Sequence, residues 1–142
     1  MTFGNIFNRS VLAAGFGAAL LASSFVATQP TMAAGSVSIT GDWAGAGSVV
    51  LKAGKRENFR CKVKYGRIAG QNFSVKARCA SGSARVDQVG VLQRVANNRY
   101  VGDVHNQQFN ISARVIVSVT GQSQTVKISS SEGSATLRLK RR

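Results

Sequence analysis

Apolar and polar side chains alternate with a period of two over several segments of this chain. Residues 58–65 follow the pattern most clearly. Their apolar positions are Phe59, Cys61, Val63 and Tyr65, and the cations between them are Arg60, Lys62 and Lys64. Residues 73–80 and 109–120 repeat the alternation, with Ile116 as the one apolar residue on the polar side of the longer segment. Because successive side chains of a β-strand point to opposite faces, each segment is predicted to be a strand with one apolar and one polar face.

Shorter segments with strand character lie around these three. They are residues 36–40, 47–52, 85–93, 99–105, 125–129 and 135–140. Glycine or asparagine stands between most of them and supplies turns. The alternation slips near Gly90, which predicts a bulge there. Since helical periodicity is poor throughout, the pattern predicts an all-β antiparallel domain with one disulfide, either an up-and-down barrel of about eight strands or a β-sandwich.

The first 34 residues have a different character. Arg9 precedes an uncharged apolar run over residues 11–27, and a polar, proline-containing stretch over residues 28–31 then leads to Met32, Ala33 and Ala34. This order is typical of a cleaved secretory signal peptide, whereas a run of 17 residues is short for a membrane span. We therefore expect residues 1–34 to be removed and residues 35–142 to form a single exported domain with no transmembrane span. Its location is then the periplasm, the outer membrane surface or the medium.

Two cysteines, Cys61 and Cys79, fall on the apolar faces of consecutive predicted strands. Exported chains fold in an oxidising compartment, where an even number of cysteines favours a disulfide. Pairing these two also places Val63 opposite Ala77, so that apolar residues meet across the hairpin. The wide spacing lacks the C-x-x-C arrangement of redox pairs, and the bond is therefore predicted to be structural.

The charge of the chain is strongly positive and unevenly distributed. Nineteen Lys and Arg against five Asp and Glu give a formal net charge of +14. Ten cations lie between Lys52 and Arg85, and four more close the chain from Arg138 to Arg142. The cysteine register places Lys62 opposite Arg78 and Lys64 opposite Lys76, and like charges so placed destabilise a sheet unless an anion compensates them.

This concentration predicts an anion-binding hairpin face. Its candidate residues are Lys55, Arg56, Arg60, Lys62, Lys64, Arg67, Lys76 and Arg78. The expected partners are anionic lipid, lipopolysaccharide, or an acidic glycan or protein. A nucleic-acid partner is disfavoured, because the aromatic residues are few and those of the hairpin are predicted to face the interior. No exposed aromatic surface is then left on which bases could stack.

Little in the chain predicts catalysis. One histidine and two cysteines cannot build a typical zinc site, and no cofactor or metal is expected. Asp103 and His105 would share one strand face and could pair by a hydrogen bond, but no nucleophile is identifiable beside them. We therefore predict a protein that is not an enzyme.

The sequence Gly41-Asp42-Trp43, just after the predicted first strand, resembles the G-x-W start of lipocalin-like and avidin-like calycins. In these barrels the tryptophan closes one end beneath a basic residue of the last strand. The resemblance implies that Trp43 and Arg138 form such a plug. It also implies an alternative function, a carrier of a small ligand or a protease inhibitor whose N-terminal extension, here residues 34–40, enters the target's cleft.

Three segments are also similar to small exported proteins of alphaproteobacteria whose function is not assigned. They are GDWAGAGSVVL (41–51), GKRENFRCKVKY (54–65) and RCAS (78–81). This resemblance implies a bacterial envelope protein and transfers no active residue. The sequence thus predicts a non-enzymatic exported envelope protein that binds anionic surfaces or polymers through a basic β-hairpin face.

Overall fold

The computed structural model describes residues 37–142, and the predicted signal peptide lies outside them. Eight antiparallel strands follow one another along the chain. They are β1 (Gly41–Leu51), β2 (Arg56–Ala69), β3 (Asn72–Ser81), β4 (Arg85–Ala96), β5 (Arg99–Asn106), β6 (Ile111–Thr120), β7 (Ser123–Ser130) and β8 (Gly133–Arg141). Each strand pairs with the next, and β8 pairs with β1, so the sheet closes into a barrel. Of the two predicted architectures, the barrel is therefore confirmed.

The alternation in the sequence becomes the inside and the outside of this barrel. On β2, Cys61, Val63 and Tyr65 are buried, whereas Lys62 and Lys64 are exposed. β6 buries every second residue from Ala113 to Val119 in the same way. Because each strand places half of its side chains inside, the closed sheet makes its own core without a second layer.

The first strand begins later and runs longer than predicted. Residues 37–40 form no strand, and β1 extends from Gly41 to Leu51. The Gly41-Asp42-Trp43 motif therefore opens the first strand instead of following it. The residues before it run across one end of the barrel, where Ile39 is fully buried.

The predicted bulge at Gly90 is wrong. β4 pairs without interruption with both neighbours around this residue, and the register shifts occur instead at Arg67/Ala69 and Arg94/Ala96. Gly90 occupies an inward position of β4, and a Cβ added there would collide with the carbonyl oxygen of Asp103 on β5. A Cβ added at Gly45 would likewise collide with the carbonyl oxygen of Arg138 on β8. These glycines let neighbouring strands approach closely where the sheet curls, a device that closed barrels use at their corners.

The two ends of the barrel differ. Large side chains fill the end at which β1 begins, among them Trp43, Phe73, Leu92 and Tyr100. Smaller residues line the opposite end, where the turns β1–β2, β3–β4, β5–β6 and β7–β8 lie. We refer to them as the plugged end and the open end.

Within residues 37–142, no helix is long and apolar enough to cross a membrane.

Candidate functional site: a basic outer wall and an open end

The β2–β3 hairpin has the predicted register. Cys61 and Cys79 face each other and form a disulfide, with their Cα atoms 4.1 Å apart. The same register pairs Lys62 with Arg78 and Lys64 with Lys76. All four cations are exposed, so two pairs of like charges lie side by side on the outer surface of the hairpin.

Closure of the barrel brings the C-terminal cations to the same surface. Ala44, on the outward face of β1, pairs with Lys62 of β2 on one side and with Lys140 of β8 on the other. Ala46 likewise lies between Arg60 and Arg138. We call this surface the basic wall. Its members are Arg60, Lys62, Lys64, Lys76, Arg78, Arg138 and Lys140.

The basic wall is not flat, because β1 contributes only small side chains to its middle. Shallow depressions lie between the longer cations. Lys62, Lys64, Lys76 and Arg78 line one of them together with the C-terminal Arg142. Arg60 and Arg138 line a second, and Arg60, Lys62 and Arg85 a third. A ligand group seated in any of these depressions would meet at least two positive charges, and in the first it would also meet the carboxylates of Asp42 and Asp87.

Few carboxylates neutralise the basic wall. Arg78 donates from Nε to Oδ1 of Asp87 at 2.8 Å, and this hydrogen bond raises the pKa of Arg78. Asp42 pairs with Lys64 across the β1–β2 ladder, but among residues 37–142 these two side chains do not form a salt bridge with each other. Within those residues, no carboxylate oxygen lies within 4.0 Å of the side-chain nitrogens of Lys62 or Lys76 either.

The remaining predicted anion-binding residues lie apart from this surface. Lys55, in the β1–β2 turn, forms an ion pair of 2.8 Å with Glu57. The contact raises the pKa of Lys55, and hydrogen bonds from Lys55 and Ser83 lower the pKa of Glu57. Arg56 is exposed at the first residue of β2, and Arg67 donates to the carbonyl of Gly70 near the plugged end. The structure thus groups five of the eight predicted cations and adds Arg138 and Lys140.

At the plugged end, Trp43 is fully buried and donates from Nε1 to the carbonyl of Ile39 at 2.8 Å. The cation over its ring is Arg141, whose guanidinium carbon lies 4.4 Å from the ring centroid. The prediction that Arg138 takes this place is wrong. Residues 137, 139 and 141 of β8 face inward, and Arg138 points outward into the basic wall.

Arg141 also holds the segment before β1. Its two terminal nitrogens donate to the carbonyls of Ser38 and Thr40, each at 2.6 Å. Tyr100 donates its hydroxyl proton to the carbonyl of Val37 at 2.7 Å. Because residues 37–40 are fastened across the barrel, they are not free to enter the cleft of a protease. Residues 34–36 lie outside the described part of the chain.

At the open end, the barrel interior continues into a cavity of about 270 Å³. Its apolar lining comes from all around the barrel and includes Phe59, Val86, Ile111, Ala113, Ile128 and Ala135. The buried Asn106 donates to the carbonyl of Asp87 and accepts from the backbone of Phe109, each at 2.7 Å. These bonds hold the β5–β6 turn and leave Phe109 49% exposed at the mouth of the cavity.

The predicted Asp103–His105 pair does not form. Nδ1 of His105 lies 3.1 Å from Oγ of Ser112, and Asp103 instead pairs with Arg114 at 3.2 Å. His105 and Ser112 lie on the outside of the barrel and line none of the depressions described above. Across residues 37–142, no three His, Cys, Asp or Glu side chains lie close enough together to hold a metal ion.

No protein-family model and no curated protein matches this chain. Its fold is similar to solved structures of designed barrels. One, a redesigned β-barrel named mFAP1 bound to DFHBI, has a TM-score of 0.61 at 12% identity over 72% of this chain and 94% of that one. Another, a fluorescence-activating β-barrel designed de novo, has a TM-score of 0.57 at 14% identity over 72% and 93%. These similarities establish the fold alone, and the resemblance to alphaproteobacterial proteins stays a prediction.

Proposed function

We propose that this protein is a non-enzymatic exported envelope protein that binds anionic surfaces or polymers through the basic wall. One observation carries the proposal: cations from β2, β3 and β8, which are distant in sequence, converge on one face across the small outward residues of β1. The common chemistry of the partner is a dense array of phosphate, sulfate or carboxylate groups. Lipid headgroups, lipopolysaccharide, acidic glycans and acidic proteins all carry such arrays.

The spacing of the wall supports this chemistry. Adjacent strands of a sheet lie about 4.8 Å apart, so Lys62 and Arg78 repel each other across the hairpin, as do Lys64 and Lys76. A polyanion that lies across the strands relieves this repulsion at several points at once. The free energy of binding is then mostly electrostatic, and it must fall as salt shortens the range of the interaction.

The chemistry of the hairpin also fits an exported protein. Disulfides such as Cys61–Cys79 form and persist in oxidising compartments, to which the predicted signal peptide of residues 1–34 would direct the chain. The anionic polymers and lipids of a bacterial envelope are in reach of such a protein. The periplasm, the outer membrane surface and the medium all satisfy this argument.

The proposal is tested by removing charge from the wall and, in a matched control, from elsewhere. The Lys62→Gln/Lys64→Gln variant is expected to bind heparin, used as a soluble polyanion, about tenfold more weakly at low salt. The control Arg99→Gln/Lys127→Gln removes the same charge from exposed positions of β5 and β7 and is expected to bind as the wild type does. Both are measured by titration calorimetry over a range of NaCl concentrations.

Equal weakening in the two variants would mean that only net charge matters and would remove the basic wall from the proposal. Binding by the wild type that does not change with salt would contradict the electrostatic mechanism itself.

The cavity at the open end supports a second candidate function, a carrier of a small apolar ligand. Its lining is mostly aliphatic and aromatic, and its volume of about 270 Å³ is enough for a molecule of one or two rings. The similar designed barrel mFAP1 is described as bound to DFHBI, which is a property of that protein. For this chain, the shape and the apolar lining of the cavity are the support.

A further inference from the structure

An apolar strip borders the basic wall on the outer face of β4. Val89 and Val91 are 45% and 49% exposed, and Val95, toward the plugged end, is 56% exposed. Val89 pairs with Lys76 across the β3–β4 ladder, and it lines the same depression as Lys62, Lys64 and Lys76. Cations and exposed valines therefore belong to one continuous surface formed by β2, β3 and β4.

These valines are not part of the hydrophobic core. The core takes the inward positions of β4, such as Leu92, while three of its six outward positions are valine. Outward positions of a water-facing antiparallel strand are ordinarily polar. Exposed apolar residues that adjoin one another commonly mark a binding surface.

The combination of charged and apolar side chains decides between the anionic partners. A soluble polyanion interacts favourably with the lysines and leaves the valines in water. At the surface of an anionic bilayer, lysines reach the phosphates while apolar side chains enter the boundary between headgroups and acyl chains. Each cation near such a surface adds to the attraction. A soluble polyanion thus uses only the charged half of this face, whereas an anionic lipid surface uses both halves.

We infer that the partner of the basic wall is an anionic lipid bilayer, on which the protein lies with β2, β3 and β4 toward the membrane. Lys62, Lys64 and Lys76 contact lipid phosphates, and Val89 and Val91 enter the interfacial layer. The residues of the hydrophobic core stay inside the barrel in this arrangement. This inference rests on the proposed function and names its partner.

The experiment compares two probes and two kinds of variant. The probes are vesicles of phosphatidylglycerol and phosphatidylcholine in equal parts, with pure phosphatidylcholine vesicles as the neutral reference, and soluble heparin. Val89→Thr/Val91→Thr keeps the β-branched shape and removes apolar surface. It is expected to partition about tenfold more weakly onto the anionic vesicles and to bind heparin as the wild type does.

The matched control is Val101→Thr/Ile116→Thr, which also replaces two β-branched residues at outward positions, here on β5 and β6 away from the basic wall. It is expected to leave vesicle and heparin binding unchanged. Thermal unfolding followed by circular dichroism verifies that each variant is folded. All proteins carry the same N-terminus, so any difference in vesicle binding comes from the barrel wall.

The outcomes separate the two proposals. Wild-type binding to heparin without binding to anionic vesicles would refute the lipid inference and leave the proposed function intact. If the wild type bound neither heparin nor anionic vesicles, both the lipid inference and the proposed function would be refuted. Undiminished vesicle binding by the valine variant would overturn the role of the apolar strip. A wild-type dimer in sedimentation that dissociates in the valine variant would assign the strip to a second copy of this chain and so also overturn the inference.

Discussion

At the scale of single residues, inward or outward position decides what each cation does. Arg138 and Arg141 are both near the end of β8, yet one belongs to the outer wall and the other closes the barrel. Arg141 pairs with Trp43 across the β1–β8 ladder, so its guanidinium reaches both the indole ring and the carbonyls of residues 38 and 40. The structural role is therefore specific to Arg141.

Substituting the two arginines separately is expected to divide their roles. Arg141→Ala removes the cation–π contact and two charge-assisted hydrogen bonds, and should lower the free energy of unfolding by about 2 kcal/mol. Arg138→Ala removes an exposed side chain and should change it by less than about 0.5 kcal/mol. Urea denaturation followed by tryptophan fluorescence measures both. If Arg138→Ala lowered the free energy of unfolding more than Arg141→Ala does, the result would support the sequence prediction that Arg138 closes the barrel.

At the scale of elements, the β2–β3 hairpin has like charges on its outer face and a disulfide with buried apolar side chains on its inner face. Its like-charged pairs repel each other in the same region where the disulfide and the buried Val63, Tyr65 and Val75 hold the strands together. The bond joins residues 18 apart, and Cys61 is the sixth of the 14 residues of β2 while Cys79 is the eighth of the 10 residues of β3. The covalent link thus holds in place the element that carries most of the charge.

Removal of the disulfide is expected to destabilise the protein by about 3 kcal/mol, because the unfolded chain regains the entropy of an open loop. Cys61→Ala/Cys79→Ala, compared with the oxidised wild type in guanidinium denaturation, measures this loss. A reducing agent should lower the stability of the wild type and leave that of the double variant unchanged. If the reducing agent lowered the stability of the wild type and of the double variant equally, the loss would not come from reduction of this disulfide.

At the scale of the whole molecule, closure of the barrel makes two unlike ends. The plugged end holds Trp43 and the other large aromatic residues of the core, whereas the smaller Ala113 and Ala135 leave space at the open end. The carrier hypothesis depends on this contrast. It concerns the inside of the barrel, whereas the basic wall is outside, so the two functions can be tested independently.

Filling the open end is expected to abolish carriage of a ligand. Ala135→Phe places a ring in the cavity and should weaken binding of the neutral two-ring fluorescent probe 6-propionyl-2-(dimethylamino)naphthalene by at least about tenfold. Thr136→Phe, on the outer side of the same strand, is the matched control and should bind as the wild type does. Fluorescence titration measures both. Equal binding by all three proteins would place the probe outside the cavity.

Most of the strands and the register of the β2–β3 hairpin follow from the local alternation of apolar and polar residues. Alternation over residues 58–65 and 73–80 assigned inward and outward positions, and one cysteine on each segment fixed which residues face each other. These features depend on neighbours in sequence and on one covalent bond, so pattern alone can establish them. The failures at residue 90 and at residues 37–40 have the same origin, because contacts with other strands decide both places. Gly90 lies against the backbone of Asp103 on β5, and Tyr100 and Arg141 hold residues 37–40.

Closure of the sheet depends on the pairing of its first and last strands, and the features that the local pattern missed follow from this closure. The pairing of β8 with β1 joins residues about ninety positions apart, and no local pattern specifies it. That pairing set Arg141 over Trp43, placed Arg138 and Lys140 beside the hairpin cations, and left the cavity at the open end. The physical reason is that side-chain alternation encodes which face a residue takes, whereas the residue it meets depends on how the whole chain folds back.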